Sequence, residues 1–132
     1  MRELTEHKVN PANDTLTIDV MDEPGQGGAC HLYRISGYNH GSNPSLLGNN
    51  LDPILATCIL FQNGPIAEVG VNGVTHEALL AILVDRMRSF QAGPYACREN
   101  AIALTKLEEA QHWLHHRTKA RMGRGVEGTH KV

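Results

Sequence analysis

The stretch ACRENAIALTKLEEAQHWLHHRTKARMGRGVEGTHKV, residues 96–132, decides how this chain folds. Ala101, Leu104, Leu107, Ala110 or Gln111, and Leu114 recur at helical spacing, so they lie along one stripe of a helix that begins near Cys97. Gly123 and Gly125 end it and leave a polar tail. A preceding apolar run carries Leu79, Leu80, Ile82, Leu83, Met87 and Phe90 and stops at Ala92-Gly93-Pro94. Thr75 can cap that first helix, and Glu77 suits the positive end of its dipole. The expectation is an antiparallel hairpin over 75–122 whose apolar faces meet each other and a sheet.

The sheet comes from the first half. Residues 15–20 alternate with the period of a half-buried strand, 29–35 read as a second strand and 54–61 as a third. Asn63-Gly64-Pro65 signals a turn into a short fourth strand at 66–71. DEPGQGG at 22–28 breaks the first strand, and the Gly/Asn/Ser/Pro-rich segment 38–50 reads as an inserted loop of open role. Residues 1–13, polar and containing Pro11, read as a loose arm. The expected class is α+β: one domain over 1–132, with an antiparallel sheet part at 14–74, the hairpin at 75–122 and a tail at 123–132.

A chain of 132 residues with 41% hydrophobic and only 5% aromatic residues is a globular protein short of large core side chains. A partner subunit would supply burial. The formal charge of −2 argues against a general nucleic-acid binder, so any anion site must be local. Cys30, Cys58 and Cys97 are odd in number and widely spaced, which suggests neither a disulfide framework nor a zinc site. The opening MRELTEHKVNPAND holds no apolar run, and no segment reaches the roughly 20 apolar residues of a membrane span. The expected location is the interior of the cell that makes the protein.

Chemistry concentrates on the last helix. Trp113, Arg117 and Arg121 recur at steps of four, placing a ring and two guanidinium groups along one side. Arg binds phosphate oxygens bidentately while an aromatic ring stacks on a base, so the set suits a phosphorylated nucleoside. The plainer reading makes the arginines complements to the helix C-terminus and Trp113 part of the core. His112, His115 and His116 could hold a transition metal, yet they lack the Glu of HExxH and a nearby Cys. Neither GQGG at 25–28 nor GRGVEG at 123–128 matches a phosphate loop, no GxSxG elbow occurs, and Glu108-Glu109 reads as a solvated face. No catalytic residue, cofactor or metal site is expected from these patterns.

The run FQNGPIAEVGVNGVTHEALLAILVDRM at 61–87, then residues 96–129, with DEPGQGGACH at 22–31, resembles the bacteriophage anti-Thoeris sponge proteins, the first Thoeris anti-defence family. The hairpin is also similar to that of phage anti-CBASS cyclic-nucleotide sponges. The resemblance implies a non-enzymatic decoy, in the cytoplasm of the infected bacterium, that sequesters uncleaved the cyclic ADP-ribose isomers made by Thoeris TIR enzymes, glycocyclic ADP-ribose among them. It extends to cyclic di- and trinucleotides as candidate ligands of separate pockets. Among site residues it implies that Phe90 stacks on the base, Asn100 makes a polar contact, and Arg117 and Arg121 grip the pyrophosphate, with Trp113 and His116 as secondary lining.

Phe90 and Asn100 lie at one end of the hairpin and the two arginines about 25–30 Å along the second helix, at 1.5 Å per residue. One protomer cannot join them, so an antiparallel homodimer with two equivalent pockets is expected. The family's dimers extend in some members to hexamers, as trimers of dimers. Arg86, Arg88 and Arg98 are spare cations near the hairpin turn. The rival reading is a small metal-dependent nucleotide hydrolase or lyase using the His112/His116 cluster.

Overall fold

The computed structural model describes residues 1–46 and 56–129. Its elements run β1 (Arg2–Leu4), α1 (Pro11–Thr15), β2 (Thr17–Val20), β3 (Leu32–Ser36), β4 (Thr57–Leu60), α2 (Ile66–Val69), α3 (His76–Ala92) and α4 (Arg98–Gly123). The class is α+β, as expected. Contacts gather the chain into two compact units, Met1–Asn63 and Gly64–Val132.

The first unit is a four-stranded antiparallel sheet in the order β1-β2-β3-β4. Its register pairs Ile18 with Ile35, Asp19 with Arg34 and Val20 with Tyr33. Asp19 and Arg34 thus meet across neighbouring strands, 3.4 Å apart. Val20 is 1% exposed and anchors this unit, and the Tyr33 and Phe61 rings meet edge to face at 5.7 Å. Gly37 closes β3 with φ +91°, and a Cβ there would lie 2.0 Å from the Thr15 carbonyl oxygen, so only glycine fits.

Two expectations for this region need correction. The arm expected over 1–13 is not loose: Arg2–Leu4 pairs with β2, matching Leu4 to Ile18, and Asn10 caps α1 by accepting from the Asn13 N–H. Pro11 opens that helix, where its missing N–H costs nothing, and His7 Nε2 lies 2.7 Å from the Leu16 carbonyl oxygen. The first expected strand correspondingly starts at Thr17, because Thr15 ends α1. The second and third start late as well, at Leu32 and Thr57, with residues 54 and 55 of the third outside the described residues. Of the loop expected at 38–50, His40–Ser42 forms a 3-10 turn, and 47–50 lie outside the described residues.

The second unit contains the hairpin. Thr75 accepts from the Ala78 N–H to cap α3, and Cys97 Sγ accepts from the Asn100 N–H to cap α4. Leu79 aside, the half-buried or buried positions of α3 are Glu77, Leu80, Val84, Met87 and Gln91; those of α4 are Asn100, Leu104, Leu107, Gln111, Leu114, Thr118 and Arg121. Both series step by three and four, the seam of two helices packed along their length. Val84, 6% exposed, is the best-buried apolar residue of this seam. Gln111 Nε2 donates to the Glu77 carbonyl oxygen at 3.1 Å across it.

The short strand expected at 66–71 is a helical turn instead. Pro65 precedes it with φ −69°, and Gly70 ends it at φ +72°, a left-handed conformation that stops strand and helix alike. The Ala67 N–H donates to the Gly128 carbonyl oxygen at 3.2 Å, which fastens this turn to the C-terminal tail. Residues 64–74 fall in the compact unit Gly64–Val132.

Candidate functional site

At the hairpin turn, Asp85, Arg86, Ser89, Phe90, Gly93, Pro94 and Tyr95 line an open hollow of about 380 Å³. Gly93-Pro94 ends α3 and turns the chain so that Tyr95 returns beside Phe90. The two rings stand edge to face, centroids 6.3 Å apart, and the Arg86 guanidinium carbon lies 5.5 Å from the Phe90 ring centre. Phe90 remains 37% exposed, so a face is available to a flat guest. Asn100 Nδ2 donates to the Tyr95 carbonyl oxygen at 3.4 Å. Phe90 and Asn100 therefore both contact Tyr95.

Further along α4, Trp113 is 64% exposed and flanked by His112 and His116, whose rings meet its indole edge-on at 5.4 and 5.6 Å. Arg117 follows on the exposed surface. Steps of four rotate about 40° per step around a helix, so the row Trp113, Arg117, Arg121 drifts toward the inner seam. Arg121 is accordingly half-buried and occupied by its own chain. Its Nε donates to Glu127 Oε2 at 3.1 Å, and its Nη2 to the carbonyl oxygens of Val126 at 2.9 Å and Thr129 at 3.4 Å.

One continuous helix, Arg98–Gly123, separates the two clusters. From Asn100 to Arg117 is about 25 Å along its axis. Among the described residues no three His, Cys, Asp or Glu side chains converge as metal ligands, so His112 and His116 gain no third donor there. No helix of the described residues is long and apolar enough to cross a membrane.

Sequence reasoning missed Tyr95, the stacking of Arg86 and the partnership of Glu127 with Arg121. An aromatic residue directly after Gly93-Pro94 was the available signal for Tyr95. For Glu127 the signal was a carboxylate six residues beyond Arg121, past two glycines that permit the chain to fold back.

These features define an α+β protein whose second unit is a two-helix hairpin, aromatic at its turn and rich in His and Arg toward its other end. Residues 57–119 match the family described as Acb2/Tad1, hairpin domain. Over 77 residues the chain is 54% identical to Thoeris anti-defense 1 of Bacillus phage SBSphiJ7, an alignment covering 58% of this chain and 54% of that protein. The chain thus spans about half the length of the curated relative it matches. The resemblance carried by residues 61–87 and 96–129 is borne out: residues 57–119 match the Acb2/Tad1 hairpin, and the chain is similar to a phage anti-Thoeris protein.

Proposed function

We propose that this protein is a viral counter-defence sponge that binds cyclic ADP-ribose isomers and holds them uncleaved in the cytoplasm of the infected host. The observation that carries the reading is the 54% identity to Thoeris anti-defense 1. The two clusters on the hairpin give it a chemical form. The Phe90–Tyr95 hollow suits an adenine ring, Asn100 a polar contact at its edge, and Arg117 and Arg121 the pyrophosphate, with Trp113 and His116 beside them. A sponge needs low dissociation and enough copies, rather than stabilisation of a transition state. No residue is assigned a catalytic role.

The pocket in this reading is shared between subunits. The clusters are about 25 Å apart on a single straight element, too far for one small ligand. A two-fold dimer with antiparallel hairpins sets the turn of one beside the Arg-bearing end of the other, twice. Ile82, Leu83 and Ile102, between 42% and 59% exposed, give the hairpin apolar surface to bury in such a pairing. Cyclic di- and trinucleotides, and growth to a hexamer, are further proposals without assigned residues.

The test is incubation of the full chain with glycocyclic ADP-ribose, followed by a melting measurement and heat release of the ligand. A raised melting temperature with chemically intact ligand is expected. No shift would remove the reading, and recovery of a hydrolysed product would replace it with an enzyme.

A further inference from the structure

The tail beyond α4 behaves as an internal anion for the arginine assigned to the ligand. Arg121 presents one edge of its guanidinium to Glu127 through Nε, while Nη2 bonds the carbonyl oxygens of Val126 and Thr129. The contact is built rather than incidental. Gly125 turns the chain with φ +74°, the Val126 N–H returns to the Arg121 carbonyl oxygen at 3.1 Å, and the Gly128 carbonyl oxygen accepts from the Ala67 N–H. The side chain of Arg121 is left only 18% exposed. A carboxylate and a phosphate compete for the same fork, since each offers a pair of oxygens matched to paired N–H donors.

We infer that residues 124–129 form a strap whose Glu127 carboxylate occupies Arg121 in place of ligand phosphate, and that binding displaces it. This rests on the nucleotide-binding reading above. A phosphate reaching the Nε edge must take the position of the carboxylate. One arriving at any other edge would lie close to an unreleased negative charge, which disfavours it through like-charge repulsion in a partly desolvated site. Release of Glu127 therefore sets part of the cost of binding, and the strap tunes affinity from outside the ligand contacts.

Titration calorimetry with glycocyclic ADP-ribose on the parent chain and on Glu127→Gln separates the possibilities. Glu127→Gln keeps the size and a hydrogen-bond acceptor but removes the charge, and is expected to bind roughly tenfold tighter. Glu127→Ala offers the same readout should the amide variant fold poorly. If the parent binds and neither variant binds more tightly, the strap is overturned while the sponge reading stands. If neither parent nor variants bind, both fall. Hydrogen exchange gives a second readout: ligand should speed exchange at the Ala67 amide, whose acceptor is in the strap, against the general slowing that ligands cause. Slower exchange there would equally overturn the displacement.

Discussion

Arg88 and Glu108 join α3 to α4 by a 2.8 Å bond between Nη2 and Oε2, twenty residues apart in sequence. Both side chains are largely exposed, 63% and 43%, so water and salt weaken the attraction. Glu108→Ala should cost under about 1 kcal/mol of unfolding free energy in denaturant titration. The loss should shrink further in roughly 0.5–1 M salt, where exposed charges are strongly screened. A loss of several kcal/mol would mean the hairpin depends on this pair rather than on its apolar seam.

Gly37 should tolerate no side chain. Its φ of +91° is one penalty, and the mere 2.0 Å that would separate an added methyl carbon from the Thr15 carbonyl oxygen is a second. Gly37→Ala is expected to destabilise the sheet unit by at least about 2 kcal/mol. Gly27, also at positive φ but with open space around it, should lose less on the same substitution. Equal losses at both positions, read by thermal melting, would contradict the steric account.

Asp22 sets a pH dependence. The His31 N–H, the largest influence, holds its carboxyl below the ordinary value of 3.8; burial opposes this, and the Leu32 N–H adds to the lowering. A carboxyl whose folded value is depressed contributes stability above its unfolded value and loses that contribution as pH falls through the folded one. The melting-temperature gap between parent and Asp22→Asn should therefore be full at neutral pH and close below about pH 4. A gap that widens on acidification would reverse the sign and reject the assignment.

Arg117 and Arg121 should separate stability from binding. Arg117 is exposed, so Arg117→Ala should change stability by less than about 0.5 kcal/mol. Arg121→Ala also releases the tail and should cost roughly 1–2 kcal/mol in the absence of ligand. Each should weaken cyclic ADP-ribose binding by about 1.5–3 kcal/mol if it bonds phosphate. Unchanged affinity in both would remove these residues from the site.

The hairpin was legible because its signals are local: a capping Thr75, a stop at Gly93-Pro94, and apolar residues three and four apart. β1 was not, because Arg2-Glu3-Leu4 is too short to show a period and owes its conformation to Ile18 and Val20 on the neighbouring strand. At 66–69 the turn signal Asn63-Gly64-Pro65 before Ile66 and Val69 reads as the entry to a strand, and Gly70 at positive φ together with Pro65 bounds a helical turn there instead. For the site, residue types pointed to Arg121 but not to its state. Whether a guanidinium is exposed or already bonded depends on where the tail returns, and two glycines leave that direction unspecified by spacing.

β4 has a consequence for descent. The matched family segment begins at Thr57, the first residue of this edge strand, whereas the compact unit that holds the hairpin begins at Gly64. The matched segment and the compact unit therefore begin at different residues. A recombination that swapped the front of the gene at codon 57 would import three strands and ask them to accept a resident fourth. Compatibility would then involve the pairing of Leu32 through Ile35 with Leu60 through Thr57, together with the Tyr33–Phe61 ring contact and the Tyr38–Thr57 hydrogen bond, so an exchange of N-terminal halves must preserve all three.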